Sequence, residues 1–312
     1  MAKPSVEIQA INEKHDISPK TVRRLLDRYR IEDGRKFRLK NHDPANTGGH
    51  LINKKNASLL LEHGVRQLSE RQEKLYAQDE WAMLCVLQAM DAAGKDGTIK
   101  HVMSGVNPQG VHITSFKAPG PDQLAHDFLW RSNPALPGRG MIGIFNRSYY
   151  EEVLVVRVHP ELLKPQRLPQ AVMTRHFWRD RLNAIAAHEQ YLTQQGIVVL
   201  KFFLHLSKEE QKRRLLSRLE EPDKNWKFDA GDLTERGHWD EYQHFYEEAI
   251  SATAAPHAPW YVVPADNKWF TRLIVVAAMN EALSHLDLKF PVVSDATRER
   301  LAHARAALEV GD

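Results

Sequence analysis

The stretch VLQAMDAAGKDGTIKH, residues 86–101, decides how the rest of the chain is read. An apolar run precedes it and a helix-forming stretch follows it. Between them stand Gly94, Lys95 and Gly97, the residue types that a phosphate-binding loop of pattern G-x-x-x-x-G-K-[ST] places between a strand and a helix. Glycines let a backbone turn tightly and approach a ligand. Successive backbone N–H groups then form an anion-binding concavity at the helix N-terminus, and Lys95 sets a point charge on a phosphate oxygen. Two positions break the pattern. Ala89 stands where the first glycine belongs, and Asp96 follows the lysine in place of Ser or Thr. With Asp91, that puts two carboxylates in the loop. A carboxylate repels phosphate unless a cation lies between them, and Mg²⁺ is the natural mediator because it takes oxygen ligands and bridges phosphates. The loop residues Asp91, Ala92, Ala93, Gly94, Lys95, Asp96, Gly97 and Thr98 thus read as a metal-dependent phosphate site. The plainer alternative is an ordinary turn that ends a strand.

Outward from this loop, short apolar runs alternate with longer helical patterns. The runs are WAMLCVLQAM, GVHITSF, GMIGIF, GIVVLKFFLHL and WYVVPA, near-continuous as in strands buried on both faces. Helices are expected at about 98–105, 121–131, 148–158, 174–194, 208–220, 239–251 and 268–288. Such alternation predicts an α/β fold with a parallel sheet between two helical layers. Ligands of such folds sit at the carboxyl ends of the strands.

Those ends carry further candidates. Lys117 follows the second run, within reach of a phosphate or a leaving group, or else as a solvated lysine. The third run ends in Asn146 and Arg147, with Glu151 and Glu152 one turn on and Arg157 farther along. Arginine suits forked contacts to phosphate; the bland reading is an amphipathic helix whose charges pair with one another. After the fourth run, SKEEQKRRLLSRLEEPDKNWKFDAGD is charged throughout. It is either a solvated hairpin or a lid that closes basic groups over phosphates and excludes competing water. Sixteen histidines are scattered, with no spacing that argues for zinc.

The first 80 residues are polar and lack a strong strand signal. Between residues 20 and 40, nine Lys/Arg stand against three Asp/Glu. DISPKTVRRLLDRYR reads as a helix with Ser18 as N-cap and Pro19 as its first residue, and it has a faint helix-turn-helix look. ASLLLEHGVRQLSERQEKLYAQ shows apolar residues at helical spacing. The charge balance, 43 basic against 40 acidic residues for a net +3, is too small to imply a nucleic-acid partner. No window reaches the roughly 18 apolar residues of a membrane span, and the N-terminus has no secretory core. Cys85, alone, makes no internal disulfide. Nothing points away from a cytoplasmic location.

These pieces together resemble the polyphosphate kinase 2 family of polyphosphate-dependent nucleotide phosphotransferases, from about Phe37 to Leu288. The resemblance rests on QAMDAAGKDGT with FNRSYYE, on VLKFFLHLSKEEQKRRL and on WKFDAGDL. It is strongest to the third class, which acts on nucleoside mono- and diphosphates. It implies an α/β/α P-loop kinase core with a helical lid, Mg²⁺, reversible transfer between inorganic polyphosphate and AMP or ADP to give ATP, and a homo-oligomer. The chain then divides into an extension over 1–80, a core over 81–290 with the lid at about 207–240, and a tail over 291–312. Carried across, Asp91 resembles the catalytic, metal-holding aspartate and Lys95 the loop lysine. Asn146 and Glu151 match positions that set nucleotide choice. Arg147, Arg157 and Arg214 resemble phosphate clamps, and Arg175, Lys208 and Lys227 are further basic groups expected on nucleotide or phosphate. Glu152 stands where the family carries aspartate as a second metal ligand, one methylene longer. The rivals are a kinase restricted to AMP or to ADP, an ATP-dependent kinase on the same core, and a non-enzymatic protein that binds nucleic acid through its basic N-terminal segment.

Overall fold

The computed structural model describes residues 19–49, 52 and 54–310; the N-cap expected at Ser18 lies outside them. Six strands form one sheet: β1 (Arg30–Ile31), β2 (Ala82–Gln88), β3 (Val111–Ser115), β4 (Ile142–Asn146), β5 (Ile197–His205) and β6 (Trp260–Pro264). Their spatial order is β1-β6-β5-β2-β4-β3, parallel except for β1, which runs antiparallel to β6. All five apolar runs are strands. The edge strand β1 carried no sequence signal because two residues are too few for a period.

Alternation along the strands explains why the runs look continuous. Met83, Cys85 and Leu87 of β2 enter one core, while Leu84 and Val86 enter the other. On β5, Leu200, Phe202 and Leu204 face the first core and Val199 and Phe203 the second. Side chains of a strand point alternately to its two faces, so a strand covered on both sides needs apolar residues at every position. The expectation fails for β3. It pairs with β4 alone, and His112, Ile113 and Ser115 are exposed, as an edge position permits.

Over the first face lie α1 (Pro19–Leu26), α2 (Lys54–Gln78), α3 (Lys95–Val102) and α10 (Lys268–Ser284), joined through Leu25, Leu26, Leu68, Ile99 and Ile274. Over the second lie α6 (Phe177–Gln194) and α9 (Trp239–Thr253), through Leu182, Ile185, Tyr246 and Ile250. The expected three-layer α/β/α arrangement is thus present. A helix-turn-helix would need a second helix after α1; the chain enters β1 instead, and Leu25, Leu26 and Tyr29 are buried. Among the described residues, no helix is long and apolar enough to cross a membrane.

Two expected helices are broken. Over 121–131 there is only α4 (Pro121–Leu124), followed by a 3₁₀ turn, Trp130–Ala135. Over 148–158, Ser148 Oγ accepts from Tyr150 N and caps a 3₁₀ turn, Tyr149–Val153. The backbone leaves helical angles at Leu154, and α5 (Val155–Val158) is one turn long. The run Val153–Leu154–Val155–Val156 is rich in β-branched residues, which lose side-chain freedom in a helix.

Beyond β5, α7 (Lys208–Glu220) starts at Ser207, whose Oγ accepts from Glu210 N. A 3₁₀ turn (Pro222–Lys227) and α8 (Gly231–Gly237) complete the charged hairpin. The last helix, α11 (Asp295–Val310), presents Leu301 and Leu308 to solvent.

Candidate active site

The loop of residues 89–94 leaves the end of β2, where the strand order reverses between β4 and β5. Gly94 has φ 99°, a left-handed conformation that only glycine adopts without strain, and caps α3. The helix begins at Lys95, three residues earlier than the sequence pattern suggested, and this puts its N-terminal N–H groups into the loop. A Cβ at Gly97 would meet no protein atom within 4 Å, so protein packing does not require a glycine there. Lys95 folds back so that its Nζ donates to Ala89 O at 3.1 Å. Burial, followed by the neighbouring Arg147, lowers its pKa from the ordinary lysine value.

A chain of charges joins the loop to the end of β4. Arg147 has φ 63°, left-handed in a residue with a bulky side chain. Its Nη2 donates to Asp91 Oδ1 at 2.9 Å and its Nη1 to Glu151 Oε2 at 3.3 Å. Glu151 raises the guanidinium's pKa, against the opposing effect of burial and with help from Asp91. Gln88 Nε2 donates to Glu151 Oε1 at 3.0 Å. Beside this chain, Asn146 Nδ2 donates to Asp96 Oδ1 at 2.7 Å and locks the end of β4 to the first turn of α3.

The loop is the floor of a cleft of about 500 Å³, lined by nine basic and three acidic side chains and by no aromatic ring. Asp91 through Thr98, Asn146, Arg147, Arg214 and Lys227 all line it. So do Arg213, Arg218 and Lys224 of the charged hairpin, and Lys268 and Arg272 of α10. The last two escaped the sequence analysis. Their signal was a Lys-x-x-x-Arg spacing in the first turns of the helix after β6, which puts both on one face at the carboxyl edge of the sheet.

Several expected site residues lie elsewhere. Arg157 pairs with Glu248 and stacks over Phe245, 4.2 Å from the ring centroid. Glu152 is 4% exposed; its Oε2 accepts from Arg181 Nη1 at 3.1 Å and from Gln166 Nε2 at 2.8 Å. Both donors meet the same oxygen, and Glu152 is buried and does not line the cleft. Glu151 also lies outside the lining, behind Arg147. Lys117 is exposed past β3, and Arg175 is exposed with its Nε donating to His176 Nε2. Lys208 Nζ sits over the Trp239 ring at 5.9 Å. Among the described residues, no group of three or more His, Cys, Asp or Glu could hold a metal by itself.

Arg157 offers a direct check. Arg157→Ala is expected to leave the KM for any phosphate substrate within about twofold and to destabilise the fold by about 1 kcal/mol, through loss of the cation–π contact. Steady-state kinetics and a denaturant titration measure the two.

The family model described as polyphosphate kinase 2 matches residues 52–291. The chain is 46% identical over 281 residues to the ADP-polyphosphate phosphotransferase of Rhodopseudomonas palustris, covering 90% of this chain and 97% of that protein. It is 44% identical over 266 residues to the AMP/ADP-polyphosphate phosphotransferase of Meiothermus ruber, covering 85% and 96%. Among solved structures, it is similar to polyphosphate kinase 2 from Arthrobacter aurescens, with a TM-score of 0.80, 39% identity, and coverage of 92% of this chain and 97% of that one.

Proposed function

The chain belongs to the polyphosphate kinase 2 family, and on that premise we propose that it transfers phosphoryl groups from inorganic polyphosphate to both AMP and ADP. The observation that carries this is the lining of the cleft: nine basic side chains, small loop residues and no aromatic surface. Such a wall suits a chain of phosphates better than a donor whose base needs a stacking partner. Its attraction for a polyanion weakens as salt screens the charges. The names of the two relatives from Rhodopseudomonas and Meiothermus support the nucleotide acceptors.

In the proposed reaction an oxygen of the acceptor's terminal phosphate attacks the last phosphorus of polyphosphate in line. The bridging P–O bond breaks, and the chain leaves one unit shorter. Such a transfer needs positioning and charge stabilisation rather than covalent help. The α3 N-terminus and Lys95 hold the phosphate at the loop. Arg147 stands between loop and acceptor, where it exchanges its Asp91 and Glu151 partners for phosphate oxygens. Arg213, Arg218, Lys224 and Lys227 of the hairpin and Lys268 and Arg272 of α10 carry the rest of the polyphosphate and keep water from the reacting phosphorus.

Asp91 and Asp96 offer hard oxygen donors beside the loop, a set that fits Mg²⁺, which binds through one or two carboxylates plus substrate phosphates. When bound, it would neutralise charge between the phosphates and the carboxylates. Glu152 is no part of this proposal. Assembly into a homo-oligomer is; apolar side chains exposed beyond α10, such as Phe290 and Val292, support it.

The test of acceptor range is a time course with AMP, long-chain polyphosphate and Mg²⁺, resolving AMP, ADP and ATP. ADP followed by ATP is the expected result. ADP that accumulates without ATP would restrict the enzyme to monophosphates and remove Asn146 and Glu151 from a dual-specificity role.

A further inference from the structure

The family resemblance makes Arg214 a phosphate clamp, and it does line the cleft. Its hydrogen bonds say otherwise. A guanidinium carries five N–H donors and no acceptor. In Arg214, Nε donates to Glu210 Oε1 at 2.7 Å. Nη1 donates to Ala92 O at 3.0 Å and Ala93 O at 2.9 Å, and Nη2 to Ala265 O at 2.6 Å and Asp266 O at 3.1 Å. Every donor is thus occupied, and the side chain is 6% exposed. One turn earlier on α7, the buried Gln211 donates from Nε2 to Asp91 O at 3.0 Å. Two side chains on one helix face therefore hold three consecutive carbonyls of the loop.

The consequence follows from the peptide group. In a trans peptide, the C=O of one residue and the N–H of the next point in opposite directions. Gathering the carbonyls of Asp91, Ala92 and Ala93 toward α7 turns the following N–H groups away from it. Arg214 also holds Ala92 in its left-handed conformation, φ 62°, which a residue with a Cβ adopts only under constraint from its surroundings. From this geometry we infer that Gln211 and Arg214 are positioning residues that mould the phosphate loop, and that Arg214 makes no contact with phosphate. The inference rests on the reading above that the loop binds transferable phosphate. Gln211 extends the arrangement: its Oε1 accepts from Arg236 Nη1 at 2.9 Å, so α8 of the hairpin is tied to the same loop.

The test uses the full chain and tripolyphosphate, titrated calorimetrically at a series of salt concentrations. The variants are Arg214→Lys, which keeps the charge, and Gln211→Leu, which changes none. A lysine satisfies a phosphate as a point charge but cannot span four carbonyls on two segments. Both variants are expected to weaken binding about tenfold, the order of one or two hydrogen bonds. Stoichiometry should stay near that of the unmodified protein, and so should the slope of log Kd against log salt. Arg214→Lys with unchanged affinity, or Gln211→Leu with none of the loss, would overturn the inference. So would a fall in stoichiometry at unchanged Kd, which would mark a purely structural role. If Arg214→Lys does not fold, Gln211→Leu decides alone. If the unmodified protein binds tripolyphosphate but transfers nothing, the functional reading fails, while the same titrations still judge the mould.

Discussion

Asp91→Asn is expected to lower kcat by about 10²–10³-fold, or roughly 3–4 kcal/mol of transition-state stabilisation, in a protein that still folds. Asp91 is part-exposed at the floor of the cleft, so its loss opens no cavity. Its charge does two things. It holds one arm of Arg147, whose backbone is already in a left-handed conformation, and it offers an oxygen beside the loop. Asparagine keeps the shape and can still accept a hydrogen bond from Arg147, but it removes the charge that balances the guanidinium and the incoming phosphates. Steady-state kinetics and a thermal melt together check this. Turnover within a few-fold of the unmodified enzyme would show that Asp91 does not act in transfer.

The largest effect on stability is expected away from the cleft. Lys201 on β5 is fully buried, and its Nζ donates to Glu189 Oε2 of α6 at 2.5 Å and to Thr253 O at 2.7 Å. Glu189 Oε1 accepts from Tyr149 Oη at 3.0 Å and Tyr150 Oη at 2.9 Å, and Trp260 Nε1 donates to Thr253 Oγ1 at 2.9 Å. Burial lowers the lysine's pKa and Glu189 opposes that shift. Breaking such a pair from one side leaves an uncompensated buried charge. Lys201→Met alone should therefore cost about 3–5 kcal/mol. The double variant Lys201→Met with Glu189→Leu should recover part of that loss, because no buried charge is left unpaired although Tyr149 Oη loses its acceptor. Chemical denaturation of the single and double variants closes the cycle. The network also anchors Tyr149 and Tyr150 in the turn that carries Glu151, so the single variant should lose activity as well as stability.

Most of the architecture was legible because four strands of the parallel sheet, β2, β4, β5 and β6, are buried enough to need a nearly unbroken apolar run, while the edge strand β3 is exposed. The loop was legible because left-handed backbone at Gly94 and a lysine at the helix start leave a local signature. What escaped depends on tertiary contact. The edge strand β1 is defined only by its pairing with β6. Glu152 sits in the 3₁₀ turn after β4, and Arg157 lies farther along in the short helix α5. Sequence spacing does not show that their side chains meet Arg181 and Phe245 rather than the cleft. Arg214 looked like any lid arginine, since sequence spacing does not show which carbonyls a guanidinium meets. Lys268 and Arg272 were hidden because α10 is otherwise an apolar core helix.

The central claim is the identity of the donor, and a competition measures it most directly. The purified protein is given AMP and Mg²⁺ with labelled polyphosphate, with labelled ATP, or with each in the presence of the other unlabelled. The account predicts that label reaches ADP and then ATP from polyphosphate, and that ATP does not replace polyphosphate as the source of the phosphoryl group. Label that reaches AMP from ATP alone, with polyphosphate inert, would contradict it.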